Sequence, residues 1–503
     1  MAAKPNIEQQ EALIQQQADQ IAQQEALIQQ QADQIAQQEA LIQQQADQIA
    51  QQEAEVERLK HLLQAKADAK AAKPPTFPDN YSLARNPRTR RKKKQKSPGR
   101  TPQSAKREWA AHEVAIYAPG VSPEACLRHR SQFAWRILDG KAVYVCYHIY
   151  DLPESRQLPV PPGLRTSRSE FGIEIILIVA FLHDWIGVSL DNVRQILTFF
   201  TGLPLSKSQA DSLLSQLATD WDEQYDTIAE LLALQLIVYI DETGWRVGNR
   251  ACYTWVFSTT LYVLFRCGVS RQQSEATTIL GEAFSGIGVT DDYGAYKHLF
   301  SQHQLCWAHL IRKAIKLALQ HPDEPAYATF LDQLCGIYDE ARQLRTAELR
   351  APTAPEARQA QVTELQGRIL ALCPRYTEPI CEGETPAPEA TFIRLQRELV
   401  TNLACLFVFV AHPEVEPTNN RSERHLRREA EIRKGARTSK SKAGAHRRSV
   451  IMTVLASLQL RISTFTLSAV LTEVNRWLTT GTSLFQQELH ALQPHPPPLA
   501  LVG

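Results

Sequence analysis

The chain has 503 residues, 44% hydrophobic and 22% charged, so it carries enough apolar material for a large core and enough length for roughly two to four domains. Lys and Arg number 55 against 54 Asp and Glu, which excludes a uniformly basic or acidic protein and leaves any charge-driven partner to local blocks. Nine cysteines without regular spacing do not read as a disulfide framework and suit reduced thiols in a cytosol. No secretory signal is expected, and the most apolar run, 175–182, is too short to span a bilayer.

The first sixty residues are a tandem repeat. QQEALIQQQADQIA occurs at 9–22, 23–36 and 37–50, and Ile7, Ile14, Ile21, Ile28, Ile35, Ile42 and Ile49 recur at intervals of seven. A strict seven-residue period keeps one stripe against a partner helix, so 1–65 is expected to be a coiled coil that brings copies of the chain together. Gln, Ala and Glu occupy the second seam position, so the alternative is a Gln-rich, partly helical tail left by repeat duplication.

Residues 66–108 form an expected disordered basic linker. Between Arg85 and Arg107 there are eleven Lys or Arg and no acid, including Arg90, Arg91, Lys92, Lys93 and Lys94. Such a block would neutralise phosphates without reading sequence. Residues 109–163 are expected to be a small β-rich module, with strands near 114–117 and 141–150. From 164 to 233 apolar residues recur at three and four, the helical period. The stretch around Gly202-Leu203-Pro204 resembles a helix-turn-helix layout, as many helical linkers do.

At Leu236 the pattern switches. LIVYID at 236–241 is a continuous apolar run ending in an acid, which predicts a buried strand. Strands are predicted at 252–258, 262–267, 287–290 and 304–306, with helices at 274–284 and 308–319. Three meandering strands followed by alternating strand and helix point to a mixed α/β sheet in a unit covering 234–480. A charged helical insertion occupies about 321–401, and 481–503 is a tail.

Three acids stand out. Asp241 and Asp291 end apolar strands, and Glu423 lies one turn into a helix that Asn419 or Asn420 could cap. Acids at such ends are costly unless paired, hydrogen-bonded or bound to cations. Together they could hold two Mg²⁺ ions, with Mn²⁺ as an alternative, for phosphodiester chemistry. Taken singly, each is better explained as a strand cap or an arginine partner. Arg421 to Arg448 carries eleven Lys or Arg against three Glu, which attracts phosphates around Glu423, although Glu423 with Arg427 is also an ordinary helical ion pair.

The motifs DETGWRV at 241–247, TDDYGAY at 290–296, CWAHLIRK at 306–313, NNRSERHLRR at 419–428 and IRKG at 432–435 resemble, in that order, the DDE transposases of the insertion-sequence-66 family. The likeness covers roughly 165–470. It implies a ribonuclease-H-like core interrupted by a helical insertion, and cleavage and strand transfer at the ends of the element's own DNA. It further implies catalytic, metal-binding roles for Asp241, Asp291 and Glu423, and Asp292 stands where many relatives have Gly. The implied partners are double-stranded DNA, further copies of the chain and small accessory proteins, in a bacterial, nucleoid-associated setting without a membrane. Arg424, Arg427, Arg428, Arg433 and Lys434 are expected to hold phosphates. His309 is a candidate phosphate or carboxylate partner, or a satisfied core histidine.

Relatives also begin with a coiled coil, a basic stretch and a small zinc-binding-like module. Here Cys126, His129, Cys146 and His148 allow zinc ligation, although such isolated pairs more often pack. Trp245 could stack on a base or, more simply, pack. The rival functional reading is a catalytically silent, transposase-derived DNA-binding protein.

Overall fold

The computed structural model describes residues 101–492, apart from 119, 127, 153–158, 167, 283, 297–298, 382 and 436. The expected coiled coil over 1–65 and the basic cluster Arg90 to Lys94 lie outside the described residues. Among the described residues, no helix is long and apolar enough to cross a membrane.

A short helix α1 (Gln103–Trp109) leads into a three-stranded sheet of β1 (His112–Tyr117), β2 (Arg128–Leu138) and β3 (Lys141–Asp151), in the order β1-β3-β2. The sequence reading had no strand over β2. Its signal was Asp139-Gly140, whose φ angles of 50° and 76° turn β2 back onto β3 with Leu138 opposite Lys141. Positive φ at both central residues matches the right-handed twist of a two-residue hairpin, and Asp-Gly tolerates it. Arg136 of β2 ties this sheet to the next segment through Glu174 at 2.7 Å.

Helices α2 (Ile173–Ala180), α3 (Leu190–Thr201) and α4 (Lys207–Ala233) follow. Ser206 and Gln209 cap α4 reciprocally, satisfying two open backbone N–H groups. The turn resembling a helix-turn-helix leads into a core helix, because α4 buries Leu213, Leu214, Leu217, Trp221 and Ile228.

The second sheet contains β4 (Ile237–Val247), β5 (Arg250–Ser258) and β6 (Val263–Val269), then helix α5 (Ser274–Leu280), then β7 (Ile287–Thr290) and β8 (Gln302–Leu305). Its order is β6-β5-β4-β7-β8. The first three strands meander antiparallel, while β7 and β8 run parallel to β4. Alternation along β4 divides the interior in two. Val238 and Ile240 join a core with α4, and Tyr239 joins Val289 and Leu305 in the other.

The second core is closed by α6 (Trp307–Gln320), α7 (Pro325–Arg350), α8 (Pro355–Leu372), α9 (Ala387–Thr401) and α10 (Val408–Ala411). Trp307, Leu334, Ile369, Phe407 and Phe409 are fully buried there, each worth roughly 1.5–3 kcal/mol or more of apolar burial. The chain returns through α11 (Asn420–Lys434), α12 (Lys442–Arg461), α13 (Leu467–Thr480) and α14 (Leu484–Leu492). Phe485 of α14 is fully buried in the first core, so the chain continues to pack beyond residue 480.

Helix α12 also covers the open edge of β6. Val263, Phe265 and Cys267 donate their backbone N–H groups to the hydroxyls of Ser457, Thr453 and Ser449 at 3.0, 2.9 and 2.9 Å. Two strand residues rise about 6.7 Å and four helix residues about 6 Å, so the two repeats keep step. An otherwise unpaired edge is thereby closed to other strands.

Candidate active site

Tyr239 of β4 pairs with Val289 of β7 in parallel register. Asp241 and Asp291 each lie two residues further along: Asp241 does not end its strand as the sequence predicts, because β4 runs on to Val247 in pairing with β5, but Asp291 follows the end of β7. Ligands of α/β sheets commonly sit at such carboxyl ends. Beside them β8 ends at Leu305, and Cys306 donates its N–H to Thr290 O at 2.8 Å, so α6 starts at the same rim and carries His309 on its first turn.

Helix α11 is pinned across this rim. Asn419 donates Nδ2–H to Ile240 O at 2.7 Å, and Ser422 and Ser258 share a buried hydroxyl hydrogen bond of 2.9 Å. Further along, Arg433 reaches Thr243 Oγ1 at 3.1 Å and Gly244 O at 2.8 Å. Asn419 makes no side-chain cap, contrary to the expectation, because its amide is spent on tying the helix to β4. These contacts bring the first turn of α11, which carries Glu423, against the middle of β4.

Burial pushes the Asp241 carboxyl up to about 8, and the negative charges of Glu242, Asp291 and Glu423 push the same way, against one hydrogen bond from the Glu242 amide. The neighbouring carboxylates offer hard oxygens of the kind that a divalent ion such as Mg²⁺ takes. Asp292 is exposed, and its charge bears on Cys405 instead.

Glu242, which no motif singles out, is a fourth carboxylate here, and its side chain is only 2% exposed. Burial raises its pKa, with the hydrogen bonds from Tyr296 and Arg271 opposing, Arg271 Nη2 lying 2.6 Å away. Arg271 in turn lies 3.7 Å from the ring centre of Tyr293, whose N–H donates to Asp291 Oδ1 at 3.1 Å. The acidic doublet Asp241-Glu242 was its only sequence signal.

Glu423 pairs with Arg312 of α6 at 3.2 Å, not with Arg427, and lies 3.7 Å from His309 Nδ1. His309 thus faces a carboxylate but does not hydrogen-bond to it. Burial, then the Arg312 charge, lowers the His309 pKa, with Glu423 and Asp291 opposing.

The cations expected to hold phosphates divide into two groups. Arg424, Arg427 and Lys434 are exposed. Arg433 is engaged with β4 as described, and Arg428 lies 3.7 Å from the ring centre of Trp185. Trp245 is 1% exposed and donates Nε1–H to Ser439 Oγ at 3.1 Å, so packing is its role and base stacking is excluded.

Of the four zinc candidates in the small sheet, Cys146 and His148 come together with Glu113, which the sequence reading did not include. His148 Nε2 lies 3.2 Å from Glu113 and 3.6 Å from Cys146 Sγ. His129 instead meets the other nitrogen of His148 at 3.0 Å, and Cys126 is buried outside the group. A separate cavity of about 1210 Å³ opens between α4 and the 437–441 loop, lined by Lys207, Arg437, Lys440 and Arg447 but by none of the three acids.

Among known families, the one described as Transposase IS66 family matches residues 172–447, more than half of the chain and all of the rim just described. No curated protein matches it.

Proposed function

Because this chain belongs to the IS66 family of transposases, we propose that it cleaves the ends of a DNA element and joins them to target DNA, with Asp241, Asp291 and Glu423 as the catalytic, metal-holding acids. The carrying observation is that Asp241 feels both Asp291 and Glu423 while buried. A ribonuclease-H-like core is supported by the strand order, three antiparallel strands flanked by two parallel ones. Helices α7 to α9, within 325–401, support the helical insertion expected at about 321–401.

In the first step water attacks the phosphorus at the element's end, and the bond to its 3′ oxygen breaks. In the second, the freed 3′-hydroxyl attacks a target phosphodiester, forming one P–O bond as another is released. Mg²⁺, when bound, supplies activation of the attacking oxygen and neutralisation of the leaving one. In this reading the three acids act together, with Glu242 held beside Asp241 by hydrogen bonds from Arg271 and Tyr296. Arg424, Arg427 and Lys434 draw the phosphodiester backbone toward Glu423. Copies of the chain joined through 1–65 would hold two element ends together, with the basic segment and 168–233 contacting the ends.

The test is Mg²⁺-dependent nicking of a duplex carrying the element's ends. Nicking is expected in the wild type and is lost in Asp241→Asn, Asp291→Asn and Glu423→Gln. If the wild type binds the duplex as tightly as these variants and none cuts, the chain is a DNA-binding descendant of a transposase.

A further inference from the structure

Cys306, His309 and Glu423 converge from two elements. Their donor atoms all lie within 4.8 Å of one another, and His309 Nδ1 is 3.7 Å from Glu423 Oε1. Around a tetrahedral zinc ion, donors at ordinary bond lengths are roughly 3.4–3.7 Å apart. The three therefore need only small movements to meet one ion.

Each donor is left in a state that a metal would complete. His309 Nδ1 is buried and has no hydrogen-bond partner, although a third of its side chain is exposed. Cys306 Sγ accepts the Asn419 N–H at 3.2 Å, and the backbone amides of His309 and Ala308 also bear on it. Burial here favours the thiol, with these N–H groups opposing, and a bound cation would stabilise the thiolate, the form in which cysteine binds metals. Among the described residues the Glu423 carboxylate is hydrogen-bonded only by Arg312, whose side chain is 55% exposed.

We infer that Cys306, His309 and Glu423 form a second cation site, suited to zinc or a similarly soft divalent ion, that shares Glu423 with the magnesium site. Sulfur and imidazole select against Mg²⁺, which prefers six oxygens in octahedral array. Three protein donors leave a fourth position to water, reachable because His309 and Glu423 are partly exposed. On binding, the thiol proton passes to solvent. Glu423 turned toward sulfur and imidazole is withdrawn from Asp241 and Asp291, so zinc inhibits Mg²⁺-dependent cleavage. That consequence rests on the proposed function; the binding does not.

The experiment titrates the reduced full-length protein with Co²⁺, in a Cys146→Ala background that silences the Glu113–Cys146–His148 group. A sulfur-to-cobalt charge-transfer band in the near ultraviolet is expected, displaced by Zn²⁺. It disappears in Cys306→Ser, weakens by roughly tenfold or more in affinity in His309→Gln and Glu423→Gln, and stays in Asp241→Asn. A band that survives Cys306→Ser, or no band in the Cys146→Ala protein, overturns the site. If Cys306→Ser does not fold, the partly exposed His309→Gln decides. In the nicking assay, zinc should inhibit the wild type and lose that effect in His309→Gln, each compared with its own zinc-free rate. A wild type that never nicks defeats the proposed function while the cobalt titration still decides the site.

Discussion

The guanidinium of Arg448 grips both carboxylate oxygens of Glu429, at 2.6 and 3.0 Å, with side-chain exposures of only 7% and 0%. The same group donates to Asp184 O at 2.9 Å, joining α12 to α11 and to the turn after α2. Replacing Arg448 by Met leaves two acids buried without a cation. The cost should be about 3–5 kcal/mol, read as a shift in the urea midpoint. Adding Glu429→Gln should recover part of it, because the buried charge is then removed. A loss below about 1 kcal/mol in the single variant would mean that apolar packing alone joins these helices.

The hydroxyl ladder on β6 gives a second stability test. Thr453→Val keeps the shape of the side chain but strips the partner from the buried Phe265 N–H. An unsatisfied buried donor costs about 1–3 kcal/mol. Amide exchange at Phe265 should speed up by at least as much as global unfolding accounts for. Unchanged exchange would show that the edge is protected by burial rather than by the hydroxyl.

The two groups of cations on α11 should separate cleanly. Arg427 is exposed and makes no ion pair among the described residues, so Arg427→Ala should leave the melting temperature alone. It should reduce the slope of log affinity against log salt by about one on any duplex. Arg433 is bonded to β4, and Arg433→Ala should lower the melting temperature instead, with a smaller change in salt slope. The reverse pattern would assign phosphate contact to the wrong face of the helix.

Arg312 competes with a divalent ion for Glu423. Removing it in Arg312→Ala should lower the Mg²⁺ concentration giving half-maximal nicking. A half-exposed pair is worth at most about 1 kcal/mol, so the shift should not exceed roughly fivefold. A higher Mg²⁺ requirement would mean that Arg312 orients the carboxylate for the ion rather than blocking it.

Part of this site was legible in the sequence from its apolar runs. LIVYID announced β4, but the strand does not stop at Asp241, because the more polar stretch up to Val247 still pairs with β5. The short apolar run before Asp291 does end β7 there. Glu423 was found from its motif, but its partner was not, since the Arg427 pairing was chosen by spacing along one helix. Arg312 comes from α6, 111 positions away, and no local rule reaches that far. Asn419 shows the same failure: its type suits a cap, yet a tertiary bond to Ile240 takes the side chain. Glu429 and Arg448 looked like members of a solvated basic run, because a charge pattern does not reveal which pairs the fold buries. The strand β2 was missed although Asp139-Gly140 marked its hairpin.

The pH dependence of stability tests the site without any DNA. In metal-free protein the Asp241 carboxyl titrates near 8, far above the ordinary carboxylate range, because of burial and then its acidic neighbours. Between about pH 4 and 8 the folded chain therefore holds a proton that the unfolded chain has released. Stability from this group is complete below that window and is lost as pH rises through it. His303 and His425, both lowered to about 4 by burial, act in the opposite sense, their contribution being lost as pH falls from about 6.5. The comparison that isolates Asp241 is wild type against Asp241→Asn in a chelator, from pH 5 to 8.5. The variant has no proton to lose, so its melting temperature should fall less with pH and exceed that of the wild type near pH 8. Adding Mg²⁺ should reverse the order above pH 7, because the ion binds the charged carboxylate that only the wild type supplies. Parallel curves for the two proteins, with and without Mg²⁺, would remove Asp241 from the ion-holding rim.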